Sequence, residues 1–452
     1  METGESGWDA NWVPHSQVRY VLRAFGSELV ETEPPFWAGR DDCRPVRFLY
    51  RKDHLLIRSE DLPRLRELPD LGGTCNDVVD YPVPGLALVQ VMVAEGETLL
   101  DVLGGIEERL GEGVVAPDHM LSICPPPAPG TLCPATEPDP VPGGACPRPA
   151  VARGPCDGHG TLVAVVDTGL LKAAPRQHEW LRGVTGVPEP ESVRGRGKMK
   201  KRHIGRYTGH GTFVASVVRA MAPQAEVRVE RIFEKAGASF ESEVVKALDG
   251  VMARSRPPDV ISLSAGSHTW RDRGLLSFQV FVNGPLRNAQ GTVLVAAAGN
   301  DGMDWKFAPA EMAGDNVVSV GALAANEETR AWFSNYGDWV NVYAPGEDLV
   351  HAYANGRYYY SETRKRPPQR FHGMASWSGT SFSTPVVSGL IAARMSAAPG
   401  KTGQAAAQEL LSLARAQKLP GVGPVLRPGQ ACLQCEAGQP GGAAAQPAAA
   451  AG

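Results

Sequence analysis

The 452-residue chain has no excess of either charge: 45 lysines and arginines stand against 49 aspartates and glutamates, a formal balance of −4. A protein this close to neutral exerts no global attraction on nucleic acid or on an anionic membrane, and neither is expected as a partner. No window offers the roughly 18 uninterrupted apolar residues that a membrane span needs. The first residues, Met1-Glu-Thr-Gly-Glu-Ser-Gly-Trp8, are acidic and polar and lack a basic stretch followed by an apolar one. No secretory signal is read there, and a cytoplasmic address is expected. Cysteines number only eight, and a disulfide framework is expected only in an oxidising compartment. Cys432 and Cys435 have metal-ligand spacing but no second pair, and no acidic cluster has the loop pattern of a calcium site. No metal and no cofactor is expected.

What the chain does have is ordinary globular material, 43% hydrophobic and 21% charged, enough to bury a large sheet. Between Val46 and Cys124 the apolar pattern predicts strands at Val46–Tyr50, Leu55–Arg58, Leu86–Val93 and Val114–Ile123. Helices are predicted over Glu60–Leu68 and Thr98–Leu110, the second from the 3.6-residue recurrence of Leu99, Leu103, Ile106 and Leu110. Residues 1–124 are therefore expected to form a small α+β domain. Residues 125–155, rich in proline and glycine, read as a linker. Beyond it, apolar runs at Leu162–Val166, Val227–Ile232, Val260–Leu263, Val293–Ala297 and Val317–Val320 alternate with helical stretches, the pattern of a parallel sheet covered on both faces. The expectation for 156–398 is a three-layer α/β domain with a mostly parallel central sheet. A helical extension is expected over 399–427 and a disordered Ala/Gly/Pro-rich tail over 428–452. The basic run from Arg194 to Arg206 reads as a solvated loop.

Four segments set a polar residue beside glycine at the end of an apolar run. Leu162-Val-Ala-Val-Val-Asp167-Thr-Gly169 is a buried strand delivering a carboxylate at its C-terminal edge, where open α/β sheets place their sites. Thr208-Gly-His210-Gly-Thr-Phe-Val puts an imidazole at the start of a helix, where a nearby carboxylate restores basicity and sets the tautomer. Val293-Leu-Val-Ala-Ala-Ala-Gly299-Asn300 ends a strand in a side-chain amide able to donate to an oxyanion. Ser376-Trp-Ser-Gly-Thr-Ser381-Phe-Ser-Thr-Pro385 runs from a glycine turn into an apolar helix, with Pro385 expected in its first turn. Ser378 and Ser383 compete with Ser381 as hydroxyls and read otherwise as loop and cap residues.

Taken together, in the order Asp, His, Asn, Ser, these segments resemble the subtilisin-like serine peptidases, and the resemblance covers roughly residues 157–398. The chain order differs from those of chymotrypsin-like and α/β-hydrolase sites. The resemblance implies a serine endopeptidase acting on a protein or peptide substrate. Asp167 would orient His210, His210 would take the proton of Ser381, Ser381 would attack the scissile carbonyl, and Asn300 with the Ser381 amide would hold the oxyanion. It implies substrate-binding strand edges at Ser264, Ala265 and Gly266 on one side of the primary pocket and Ala296, Ala297, Ala298 and Gly299 on the other. Phe382-Ser383 stands where Met-Ala is common, and Ser264-Ala-Gly where Ser-Leu-Gly is more usual. The N-terminal unit resembles the propeptides of the family, with Val115–Cys124 as a strand entering the cleft and inhibition within the chain as its consequence; the alternative is an accessory docking domain. Whether water or an amine accepts the acyl group is left open by these residues.

Overall fold

The computed structural model describes residues 16–26, 30–33, 46–68, 75–123, 135–194, 202–289, 291–360 and 366–428. The first part of the expected linker, most of the basic run and nearly all of the expected tail lie outside them.

The N-terminal unit runs α1 (Ser16–Phe25), β1 (Val30–Glu33), β2 (Phe48–Arg58), α2 (Leu62–Arg66), β3 (Cys75–Asp80), β4 (Leu86–Val91), α3 (Leu99–Leu110) and β5 (Val115–Ser122). The two strands expected on either side of Arg51-Lys-Asp-His54 are one. The charged residues sit at a register shift between Tyr50 and Leu55, with Asp53 at φ 57°, so the chain bulges without leaving the sheet. Helix α3 starts where Thr98 and Asp101 cap each other reciprocally. Leu103 and Ile106 of α3 pack with Leu55, Ile57 and Val89 on one face of the sheet.

After β6 (Asp139–Pro140) come β7 (Leu162–Asp167), β8 (Leu170–Leu171), α4 (Ala174–Gln177), β9 (Thr185–Gly186), β10 (Pro188–Glu189), β11 (Val193–Arg194), β12 (Arg202–His203) and α5 (His210–Met221). The chain continues through β13 (Glu226–Arg231), β14 (Ala238–Phe240), α6 (Glu241–Met252), β15 (Val260–Leu263), α7 (Leu276–Phe281), β16 (Val293–Ala297) and β17 (Val317–Leu323). It closes with β18 (Val342–Pro345), β19 (Leu349–Tyr358), β20 (Gln369–Trp377), α8 (Thr380–Ser396) and α9 (Gly403–Ala416). Seven strands form the central sheet in the order β18-β17-β16-β15-β7-β13-β9, every pair parallel. Side chains alternate across it. Val163, Val165, Val295 and Val318 pack with residues of α5, α8 and α9, while Val166, Ile261, Leu263 and Leu294 pack with α6 and α7. This is the three-layer α/β arrangement.

Two features depart from the expected organisation. Residues 135–155 do not span free solvent: β6 pairs with β20, the Ala135 amide donates to the Ser378 carbonyl, and Arg148 exchanges backbone bonds with Val350. Proline-rich chain is already extended, and its remaining N–H groups find acceptors at a sheet edge where proline is tolerated. The N-terminal sheet, in turn, reaches into the second domain. Strand β5 pairs with β2 on one side and with β14 on the other, and Leu56, Leu88 and Leu121 share a core with Val244, Val245 and Phe278 of α6 and α7.

Helices α5 and α8 approach closely, for a Cβ at Gly389 would stand 2.6 Å from Met221 Cβ and 2.9 Å from the Val218 carbonyl. Gly389→Val is expected to force the two helices apart and lower stability by about 1–3 kcal/mol, read as a shifted midpoint in denaturant unfolding with an unchanged slope.

Candidate active site

Three adjacent strands of the sheet, β7, β15 and β16, end side by side at one edge. They deliver Asp167, Ser264 to Gly266, and Ala298 to Asn300 into one crevice, as parallel sheets do. Helices α5 and α8 start above it, presenting His210 and Ser381 from their first turns.

Asp167 and His210 are wholly buried. His210 Nδ1 lies 2.7 Å from Asp167 Oδ1 and 2.9 Å from Oδ2, and the Thr168 amide donates to Oδ1 at 2.7 Å. The carboxylate therefore places the imidazole proton on Nδ1 and leaves Nε2 as the basic nitrogen. His210 Nε2 is buried and makes no hydrogen bond. Around the ring stand Trp377 at 5.5 Å, edge-on, and Phe382 at 5.3 Å, with Phe213 behind both. Phe382, the departure from the common pattern, thus helps pack the histidine.

The residue before the histidine, Gly209, takes φ 87° as the helix cap and brings no capping side chain. Glu189 Oε2 accepts the Gly209 amide at 2.9 Å, and Thr168 Oγ1 accepts the Gly211 amide at 3.1 Å. The acidity of Glu189 is pushed well down, its pKa raised first by burial and further by the nearby Asp167, against the Gly209 and Thr168 hydrogen bonds. Neither Glu189 nor Thr168 stood out in the sequence. The only signal was position, Thr168 following the aspartate and Glu189 lying 21 residues before the histidine in a Pro-Glu-Pro-Glu stretch.

Pro385 is the sixth residue of α8 and not in its first turn. Proline lacks the N–H that would close on the carbonyl four residues back, which is that of Ser381. That carbonyl accepts instead from Ser264 Oγ at 2.8 Å, and Ser381 Oγ in return lies 3.5 Å from the Ser264 carbonyl. The strand end and the helix start are thereby tied at the nucleophile. Asn300 Oδ1 accepts from the Thr380 amide at 2.8 Å and from Thr380 Oγ1 at 2.9 Å, which leaves Nδ2 as its donor toward the cleft. The Ser381 amide is among the first-turn N–H groups that a helix cannot satisfy itself. Ser378 Oγ accepts from the Asp348 amide and Ser383 Oγ donates to the Thr380 carbonyl, both structural bonds.

Asp167, His210, Asn300, Ser264 and Ser381 thus converge. Ala265 is buried in the wall, and Gly266 exchanges both backbone hydrogen bonds with Ser122 of the N-terminal unit at 3.1 Å. Ala296 and Ala297, however, lie within β16, paired with β17 and, at Ala296, with β15 as well. The Ala298 amide is bonded to Val320 and its carbonyl to Asn335. Gly299, where the chain turns at the crevice, is bonded as well: its amide donates to Thr380 Oγ1 at 3.2 Å and its carbonyl accepts the Asn335 amide at 3.1 Å, so all four residues of this segment, expected to offer a strand edge, have backbone groups engaged inside the fold. Among the described residues no group of three or more histidine, cysteine or acidic side chains could hold a metal.

Behind α5, buried His351 contacts Ser216 Oγ at 3.1 Å and the Phe213 ring at 5.5 Å. Burial lowers its pKa to about 3, partly offset by the Arg148 backbone, from an ordinary 6.5. Between those values the unfolded chain takes up a proton that the folded protein refuses, so His351 makes stability fall as pH drops from 6.5 toward 3. In His351→Gln the proton uptake on unfolding at pH 5 is expected to decrease by about one, measured from the slope of unfolding free energy against pH.

Residues 158–427, more than half of the chain, match the sequence model of the subtilase family. A thermophilic serine proteinase of Bacillus sp. is 31% identical over 237 residues, covering 52% of this chain and 51% of its own length. The chain thus spans about half the length of that relative. Subtilisin Savinase of Lederbergia lenta is 30% identical over 257 residues, 54% of this chain and 79% of that protein. A solved cold-adapted subtilisin-like serine proteinase shares 25% identity over 60% of this chain and 89% of its own, with a TM-score of 0.44. Because the family's sequence model matches residues 158–427, which include every residue of the crevice, the chain belongs to the subtilase family of peptidases.

Proposed function

We propose that this chain is a serine endopeptidase that hydrolyses peptide bonds in protein or peptide substrates through an acyl-enzyme intermediate. The observation that carries the reading is the buried Asp167–His210 pair, with the unoccupied Nε2 beside the helix start that presents Ser381. Ser381 Oγ turns from the Ser264 carbonyl to His210 Nε2, gives up its proton and bonds the scissile carbonyl carbon. The carbonyl oxygen, now negative, receives hydrogen bonds from Asn300 Nδ2 and the Ser381 amide. His210 returns the proton to the leaving amine as the C–N bond breaks, and water, deprotonated by the same histidine, then cleaves the ester. A fluorophosphonate is expected to leave one adduct on the full-length protein and none on Ser381→Ala, whose turnover falls by ~10⁶-fold; no adduct on the folded wild type, nor on a folded variant whose N-terminal strand is displaced from the cleft, speaks for an inert scaffold.

The N-terminal unit serves, in this reading, as an inhibitor within the same chain. The end of β5 lies between two backbones, one of them the cleft wall: Ser122 pairs with Gly266, and the Ile123 amide donates to the Gly237 carbonyl at 3.0 Å. That is the path an extended substrate strand takes along a sheet edge. Two side chains of β5 fasten it further. Asp118 caps α6 through the Ser242 amide at 3.1 Å and hydroxyl at 2.7 Å, and His119 Nδ1 lies 2.7 Å from Glu241. Burial, and then the neighbouring Glu241, raise the Asp118 pKa to about 7 against the Ser242 and Arg51 contacts. Asp118 therefore contributes its full stability in acid, where it is neutral, and that contribution falls as pH rises from the ordinary carboxylate range to about 7, although the Ser242 bonds themselves favour the charged form. Ser122→Pro removes the amide that Gly266 accepts and is expected to raise the rate of fluorophosphonate labelling about tenfold; an unchanged rate would mean that the strand does not guard the nucleophile.

A further inference from the structure

We infer that Phe307 fills the primary specificity pocket and restricts this chain to substrates with a small residue, glycine, alanine or serine, immediately before the cleaved bond. The inference rests on the endopeptidase reading above and names its substrate class.

An extended strand paired antiparallel with Gly266, as Ser122 is, sets its residue two positions further on opposite Ser264. The Ser264 carbonyl lies 3.5 Å from Ser381 Oγ, so this is the residue whose carbonyl the serine attacks. Its side chain has one way in, between the Ser264 to Gly266 backbone and the turn at Ala298 and Gly299. That turn converges on the same serine, because the Gly299 amide donates to Thr380 Oγ1 at 3.2 Å. Both walls end in glycine, with no side chain to narrow the gap.

The gap is nevertheless occupied by an aromatic ring. A Cβ at Gly299, whose φ is 96°, would stand 2.9 Å from Phe307 Cγ and 3.1 Å from Cδ1, and one at Gly266 would stand 2.8 Å from Phe307 Cζ. The near edge of the ring therefore rests on one wall and its far edge on the other. Phe307 is 1% exposed.

The ring is also held in place. Ser267 and Ala308 exchange backbone hydrogen bonds at 2.9 and 3.0 Å, fastening the segment that carries Phe307 to the wall strand. The His268 ring packs edge-on at 5.5 Å and is itself fixed by Asp301 and the Lys306 carbonyl, each at 3.1 Å. A substrate side chain longer than one or two atoms meets Phe307 and cannot seat without breaking these contacts. The glycines make room for the ring, and the ring takes the room that a large substrate side chain would need.

The test is a panel of tetrapeptide anilides that differ only in the last residue, assayed on the full-length protein and on Ser122→Pro, alongside fluorophosphonate labelling. The expected kcat/KM after alanine exceeds that after leucine or phenylalanine by about 100-fold. Phe307→Gly is expected to raise cleavage after phenylalanine by about the same factor, and Phe307→Leu by less. Cleavage after phenylalanine or leucine as fast as after alanine in the wild type overturns the inference, and does so even if the glycine variant fails to fold. An unchanged profile in a folded Phe307→Gly overturns it as well. Labelling of Ser381 without turnover of the small-residue substrates removes the pocket assignment and leaves the nucleophile standing; no labelling of either protein removes the endopeptidase reading and this inference with it.

Discussion

A carboxyl group with no exposure to water must find its hydrogen-bond donors inside the protein. Asp167 finds them in the Thr168 amide and in His210 Nδ1, and much of the crevice follows from that requirement. The histidine has to sit on the first turn of a helix directly above a strand end. That helix start has to be capped from outside, which Glu189 and Thr168 do through the amides flanking His210. Trp377 and Phe382 pack against the imidazole, and Phe213 packs behind them, which restricts the ring to the orientation that the Asp167 bond sets.

The nucleophile is positioned by a different device. Pro385 deprives the Ser381 carbonyl of its helical partner, and Ser264 supplies a replacement from the end of β15. Thr380 performs the same service for Asn300, so the two donors proposed for the oxyanion are set by consecutive residues of one helix start. What reads in the chain as a proline within a helix is, in the fold, the reason a strand and a helix lock at the reactive hydroxyl.

The N-terminal unit shares this economy of contacts. Its last strand is at once the edge of its own sheet, the partner of β14 and the neighbour of Gly266. One face of its sheet lies on α6 and α7, so its core and that of the larger domain are continuous. Residues 135–155, although rich in proline, are likewise absorbed into the larger domain by edge pairing with β20 and by Arg148.

The parallel α/β class was legible in the chain, and so were the four segments that converge at the crevice and their order. Apolar strands ending in Asp167 and Gly299-Asn300, and glycine turns opening the helices at His210 and Ser381, are local patterns whose periodicity is written in adjacent residues. Helix α1 carries Val18, Val21, Leu22 and Phe25 at helical spacing, whereas the charged Arg51-Lys-Asp-His54 hid the continuity of β2. Strands β1 and β3 were not legible, because short polar strands depend on a neighbouring strand for their hydrogen bonds and not on their own composition. For the same reason nothing local distinguished Ala296 and Ala297, paired within the sheet, from Gly299, which turns out of it. Glu189, Thr168 and Ser264 acquire their places only through backbone groups distant in the chain. Phe307 is the clearest case: as a sequence it is an apolar residue in a loop, and only the convergence of two glycine-ended walls, brought together by parallel pairing of β15 with β16, decides that its ring stands where a substrate side chain would go.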